Sequence, residues 1–265
     1  MRREGGKGRK NPVPRFKRRS QAMARYDFRT PRLYVDAPLS SGCTVALDRD
    51  QANYMLNVLR LKQGDAILLF NGRDGEWRGQ LAGSGRKNAA IAIGKQERPQ
   101  PKPLDLHFLF APLKHARLDY MVQKAVELGV SRLQPVVTQH TQVARVNLER
   151  MRANAIEAAQ QCGILCLPEV AEPVAFKALK EDAGRVLIFC DEDAEVKDPV
   201  AALSGAKLPA AVLTGPEGGF SEDERAALLA RKNVVRISLG PRILRADTAA
   251  VAALTLVQAA IGDWR

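Results

Sequence analysis

The sequence predicts an α/β protein in which a small β-rich domain precedes a mainly parallel sheet with helices on both faces. Three observations predict it. Before residue 98, short strands alternate with Gly, Asn and Asp turns. After residue 104, short apolar runs alternate with helical stretches. Between them lies Glu97-Arg98-Pro99-Gln100-Pro101-Lys102-Pro103, a stiff proline-rich linker. A chain of 265 residues is long enough to bury a real core. The expected segments are a basic, disordered extension over 1–28, the β-rich domain over 29–98 and the sheet domain over 99–265.

In the first domain, Pro31-Arg32-Leu33-Tyr34-Val35 opens the first strand, and Asp50 to Leu59 reads as a short helix. Ala66 to Phe70 and Glu76 to Leu81 pair as a hairpin around Asn71-Gly72-Arg73-Asp74-Gly75. Asn and Gly supply the left-handed backbone such turns need. Gly83-Ser84-Gly85 turns again before Ala89 to Ile93. Short strands in such a series close as a small barrel.

In the second domain, strand Leu104 to Phe110 precedes a helix from Leu118 to Leu128, closed by Gly129. Strand Leu133 to Thr138 precedes a helix from about Asn147 to Gln161, and a shorter helix spans Val174 to Lys180. Strands Val186 to Cys190, Ala210 to Thr214 and Val234 to Leu239 follow. Ser221 and Glu224 form a capping box after the loop Gly215-Pro216-Glu217-Gly218-Gly219-Phe220. Asp247 or Thr248 caps the last helix, whose stretch Ala249 to Ile261 is apolar almost all round. Such a helix is buried on most faces, in a core or an interface.

The net charge of +12 is concentrated at the start, where residues 1–22 hold nine Lys or Arg and one Glu. A basic arm points to a polyanion such as nucleic acid, although a solvated tail accounts for the composition as well. Met23 is a possible alternative start. No apolar stretch is long enough to cross a membrane, and no secretory signal precedes the domains. Cys43, Cys162, Cys166 and Cys190 match no zinc or redox spacing and read as reduced packing residues of a cytoplasmic protein. His107, His115 and His140 are scattered, His107 in a strand where packing explains it, and no metal site emerges.

Two loops therefore carry the functional signal, because both leave carboxyl ends of strands and feed helices. Gly215 to Phe220 lacks the Gly-Lys-Ser/Thr of a P-loop and the spacing of a dinucleotide fingerprint. Alone it reads equally well as a tight turn. The second loop, Gly240-Pro241-Arg242-Ile243-Leu244-Arg245, tips the balance, since two arginines directly before a helix exceed what a turn needs.

The stretches Leu213 to Ser221, Leu239 to Ala250 and Gln258 to Asp263 closely resemble the 16S ribosomal RNA (uracil-N3)-methyltransferase family, of the trefoil-knotted SPOUT superfamily. Asp119 to Val130, Glu157 to Gly163 and Val58 to Asp65 resemble further motifs of that family, so the likeness spans roughly residues 30–263. Three departures stand out. Ala246-Asp247-Thr248 replaces the usual Thr-Glu-Thr, Asn53 and Tyr54 replace paired histidines, and the basic extension is extra.

The resemblance implies a PUA-like barrel that binds RNA, a knotted methyltransferase domain, a homodimer and S-adenosylmethionine as cofactor. The expected reaction is methylation of a uridine N3 in 16S ribosomal RNA of the small ribosomal subunit. A non-catalytic RNA-binding protein, or a knotted methyltransferase acting on transfer RNA or a ribose hydroxyl, is the alternative. The implied cofactor residues are Leu213, Thr214, Gly215, Glu217, Gly218, Leu239, Gly240, Ile243, Leu244 and Thr248. Uridine N3 must lose its proton to attack, and a guanidinium can stabilise the charge left on the base oxygens. Arg245 is the first candidate and Arg242 the second, with Asp247 and Glu217 as candidate proton acceptors. Either arginine could instead hold an RNA phosphate. Arg32 and Arg60, in the barrel, are assigned to RNA.

Overall fold

The computed structural model describes residues 27, 29–83, 88–143, 145–180, 184–195 and 198–264. Expectations for the basic extension up to residue 26, and for Ser84 and Gly85, lie outside them.

The first domain is a five-stranded sheet in the order β1-β3-β4-β5-β2. Its strands are β1 (Arg32–Tyr34), β2 (Thr44–Ala46), β3 (Ala66–Phe70), β4 (Glu76–Leu81) and β5 (Ala90–Arg98). β1 runs parallel to β3, and the other pairs are antiparallel. Leu33 of one edge strand and Val45 of the other enter the same apolar cluster as Ile67, Leu69, Leu81 and Ile91. One cluster fed from both edges requires a strongly curled sheet, as in a barrel. α1 (Arg49–Asn53) starts at an Asp48 capping box and passes directly into a π-helical turn, Tyr54–Val58. The hairpin turn is set by Asn71, whose side-chain oxygen accepts from the amides of Arg73 and Asp74. β5 runs on to Arg98, which pairs with Glu76, so Glu97 and Arg98 are strand residues rather than linker. Their polar run reflects an edge that β2, paired with Ala90 to Ala92, leaves uncovered, not a break.

The second domain is a seven-stranded parallel sheet. Its main order is β12-β10-β11-β6-β7-β8, with β9 pairing further along β7. The strands are β6 (Leu106–Phe110), β7 (Arg132–Val137), β8 (Glu169–Val170), β9 (Val174–Ala175), β10 (Val186–Cys190), β11 (Ala210–Thr214) and β12 (Val234–Ile237). β11 is buried along its whole length, the pattern of a parallel strand covered on both faces. The helices are α2 (His115–Glu127), α3 (Leu148–Cys162), α4 (Pro199–Leu203), α5 (Glu222–Leu229) and α6 (Ala246–Ile261). Val174 to Lys180 is not a helix but β9 followed by a short 3-10 turn, Phe176–Ala178. Its amphipathic spacing serves an edge strand whose next residue, Phe176, plugs a core of Leu109, Val136, Phe189 and Leu213. Of the cysteines, only Cys190 is a packing residue; Cys43 and Cys162 are exposed and Cys166 half-buried. Burial pushes the Cys190 thiol up to about 12.

A buried charge cluster joins the domains. Glu76 accepts from Arg32 Nε at 2.6 Å and from Arg98 Nε at 2.7 Å. Arg98 also donates to the carbonyl of Gly163, at the end of α3. Burial alone would raise the Glu76 carboxyl, but the hydrogen bonds and charges of Arg98 and Arg32 outweigh it and hold it below its usual range. Tyr34 N–H donates to Gln160 of α3, and Phe70 packs into the larger core of the second domain. Arg32 is thus a joint residue, with a side chain 4% exposed, and is not placed to touch RNA.

Candidate functional site

The site lies on the carboxyl edge of the parallel sheet, where β11, β10 and β12 end side by side. β10 lies between the other two, so three loops converge there rather than two. The third, starting at Asp191, carries no sequence motif. Asp191 is buried, receives Arg236 of β12 at 2.6 Å and Arg225 of α5 at 3.3 Å, and its amide donates to Ile237. It locks the β10, β12 and α5 segments together.

The β11 loop is held by protein rather than left open. A Cβ on Gly215 would meet the Phe220 ring at 2.7 Å, and one on Gly218 would meet His140 at 3.2 Å. Gly219 has φ +70 and faces Glu192. His140 Nδ1–H donates to the carbonyls of Gly218 and Gly219, 3.1 Å from each. The glycines of this loop are thus small because protein groups crowd them. The capping box forms as expected, and Glu224 additionally accepts from the amide of Gln139 at 2.8 Å. His140 and Glu224 therefore fasten the β7 loop to the β11 loop, a role no local motif encodes. Leu213 is fully buried among Phe189, Phe220 and Leu109, so its side chain is core and not a cofactor wall. Thr214 is buried too, and its carbonyl already accepts from Ala111. Glu217 is exposed, with Arg117 of α2 at 3.4 Å.

The β12 loop is different. Gly240 has φ +100, and nothing lies within 4 Å of where its Cβ would be. Among the described residues, the amides of Arg242, Ile243 and Leu244 form no main-chain hydrogen bond. Ile243 is completely exposed, while Leu239 and Leu244 are half-buried. Arg242 and Arg245 are exposed and have no carboxylate partner among the described residues. The sixteen-residue α6 begins at Ala246, with Arg245 as an N-cap that makes no side-chain bond. Asp247 and Thr248 are therefore first-turn residues, not caps; Asp247 accepts from the Thr248 amide. An uncapped N-terminus of this length favours anions through its free amides. Arg60, with φ 56, is exposed in the first domain, remote in sequence from this edge.

S-adenosylmethionine needs apolar faces, main-chain donors and an anion-tolerant end for its carboxylate. The open Gly240 backbone, Leu239, Ile243, Leu244 and the α6 N-terminus match those needs. Two cavities, of about 130 and 320 Å³, are lined by other residues. At the loop edge Gly240, Arg242, Ile243 and Arg245 are exposed.

The RNA methyltransferase domain family model matches residues 100–258, and the RNA methyltransferase PUA domain model matches residues 47–94. A Rickettsia conorii protein called ribosomal RNA small subunit methyltransferase E is 30% identical over 86% of this chain and 94% of its own. A Synechocystis protein of the same description is 33% identical over 86% of this chain and 77% of its own. The crystal structure of a Neisseria gonorrhoeae protein of that description, bound to S-adenosylmethionine, superposes with a TM-score of 0.76. It is 30% identical and covers 89% of this chain and all of the other.

Proposed function

The chain belongs to the ribosomal RNA small subunit methyltransferase E family, and from that premise we propose that it methylates N3 of one uridine in 16S ribosomal RNA. It is an S-adenosylmethionine-dependent RNA methyltransferase with an N-terminal PUA domain. The observation that carries the finer reading is the pair Arg242 and Arg245, exposed and without carboxylate partners among the described residues, at an uncapped helix start on the ligand edge of the sheet.

The cofactor would be held by the main chain of Thr214, Gly215, Glu217, Gly218, Gly240, Ile243 and Leu244, with Leu239 and Thr248 beside it. When bound, it supplies a methyl group on a sulfonium, electrophilic enough to need no further activation. The protein must hold the uracil plane so that N3 faces that methyl in line, which makes positioning a large part of the rate. Arg245 donates to a uracil oxygen and stabilises the charge that spreads there as N3 loses its proton; Arg242 supports it or holds a phosphate. The proton passes to water, Glu217 or Asp247. Asp247 is the second residue of α6 and Glu217 pairs with Arg117, so both carboxylates border the same edge.

A homodimer completes this reading. Ile243 lies wholly in solvent, and Val251, Ala252 and Thr255 of α6 keep apolar surface partly exposed. A second copy would cover that surface and wall the open edge. The trefoil threading of the β12–α6 segment, domain limits at 28/29 and 98/99, RNA contact by Arg60 and a cytoplasmic location belong to the same proposal. No helix among the described residues is long and apolar enough to cross a membrane.

The test is methylation of small ribosomal subunits from a strain deleted for this protein, followed by mapping of the modified nucleoside. The expected product is 3-methyluridine in 16S ribosomal RNA. A methyl group on a ribose hydroxyl or only on transfer RNA would overturn the assignment.

A further inference from the structure

The cavity of about 130 Å³ lies beside the methyl-transfer edge, between the first turns of α2 and α3. Lys114, Arg145 and Arg150 line it over an apolar floor that includes Leu118 and Met151. One acidic group, Asp119, lies within it, and Arg150 at 2.6 Å and Asn154 at 2.8 Å already engage its carboxylate. Lys114 and Arg145 are exposed and form no ion pair among the described residues. The cavity therefore keeps an uncompensated positive charge. His115 also lines it, at φ 28, a backbone that residues with side chains rarely adopt.

The size matters. A space of about 130 Å³ admits a phosphate group together with ordered water. Its position is fixed relative to the chemistry by two ties. Arg117, on the first turn of α2, pairs with Glu217 of the β11 loop at 3.4 Å. The β7 loop that carries Arg145 is pinned by His140 to Gly218 and Gly219. S-adenosylmethionine has no phosphate and one carboxylate, so it does not call for three cationic side chains. A single-stranded nucleic acid entering this edge does.

We propose that this cavity binds a backbone phosphate of the substrate RNA near the target nucleotide, through Lys114 and Arg145. The inference rests on the RNA methyltransferase reading. It makes Lys114 and Arg145 positioning residues, whose loss weakens docking and leaves the chemical step alone.

The test uses full-length protein carrying Lys114→Ala, Arg145→Ala or both, each checked for an unchanged thermal melt. Three quantities are read: S-adenosylmethionine affinity, KM and kcat on small ribosomal subunits, and binding of purified ribosomal RNA across a salt series. KM is expected to rise about tenfold in the double variant, the loss of one or two charge-assisted contacts, with kcat near wild type. The slope of log affinity against log salt should fall by about 1 for each contact removed. Lys114→Arg should retain most of the affinity. An unchanged KM and slope would overturn the proposal, and so would a loss of cofactor affinity, which would assign the charge to the cofactor's carboxylate. If wild-type protein methylates no ribosomal RNA, the functional reading fails, and the salt slope still decides whether this cavity grips RNA.

Discussion

Arg32 and Arg245 make the sharpest comparison in the molecule. Each lies next to a short apolar run, and in the sequence both look free to meet an anion. Arg32 is clamped by Glu76 at 2.6 Å and buried at the joint between the domains. Arg245 stands in solvent at the head of α6, with no carboxylate near it among the described residues. The fold supplies a partner for one and withholds it from the other. A paired arginine holds structure together, and an unpaired one at a ligand edge is available for function. The same contrast divides the two loops: the β11 loop is packed by Phe220, His140 and Glu192, while the β12 loop leaves its amides and Ile243 open.

The joint should respond to mutation through stability. Glu76→Ala leaves Arg32 buried without its counter-charge, a change that typically costs about 3–5 kcal/mol. Urea melts should show that loss, and a loss under about 1 kcal/mol would mean that the cluster relaxes into water. Arg245→Ala should do the opposite, melting like wild type but methylating about a hundredfold or more slowly, as when one donor to developing charge is removed. Gly219→Ala forces a side chain onto φ +70 and 2.5 Å from Glu192 Oε1. A destabilisation of about 1–2 kcal/mol is expected in the same melts, with lower activity as the packed loop shifts.

The smallest effect is the pH response of the joint. Glu76 has a folded pKa below its reference of 4.5. Its contribution is therefore fully present above about that pH and is lost as pH falls through the lower folded value. Acid melts of wild type and Glu76→Gln should converge in that window. Parallel curves would show that the carboxylate's charge is not what joins the domains.

Much of the fold could be read because local signals agreed with it. Apolar runs such as Val186–Cys190 and Ala210–Thr214 match buried parallel strands, and Ser221 with Glu224 marks the start of α5. Errors arose where long-range pairing overrode local pattern. Val174–Ala175 adds to β7 and breaks what reads as a helix, and β5 reaches Arg98 because Glu76 pairs with it. The start of α6 is not legible locally, because Asp247 has a capping side chain while Arg245, the N-cap, uses none.

The site was legible in part. Its two loops stand out by glycine and arginine content. The roles of Asp191, His140 and Glu192 do not, since each acts across the sheet on a loop far away in sequence. The pairing of Arg32 is hidden in the sequence for the same reason, its partner Glu76 being 44 residues away. The core position of Leu213 follows from its place in an apolar parallel strand covered on both faces.

The central claim is that Arg245 stabilises charge on a deprotonated uracil. Single-turnover methylation of small ribosomal subunits by wild type and Arg245→Ala, across a range of pH with cofactor affinity measured alongside, tests it most directly. The variant should bind S-adenosylmethionine nearly as wild type does, react slowly at neutral pH, and recover as rising pH ionises the base unaided. Near-normal turnover at neutral pH, or a slow rate that no increase in pH relieves, would contradict it.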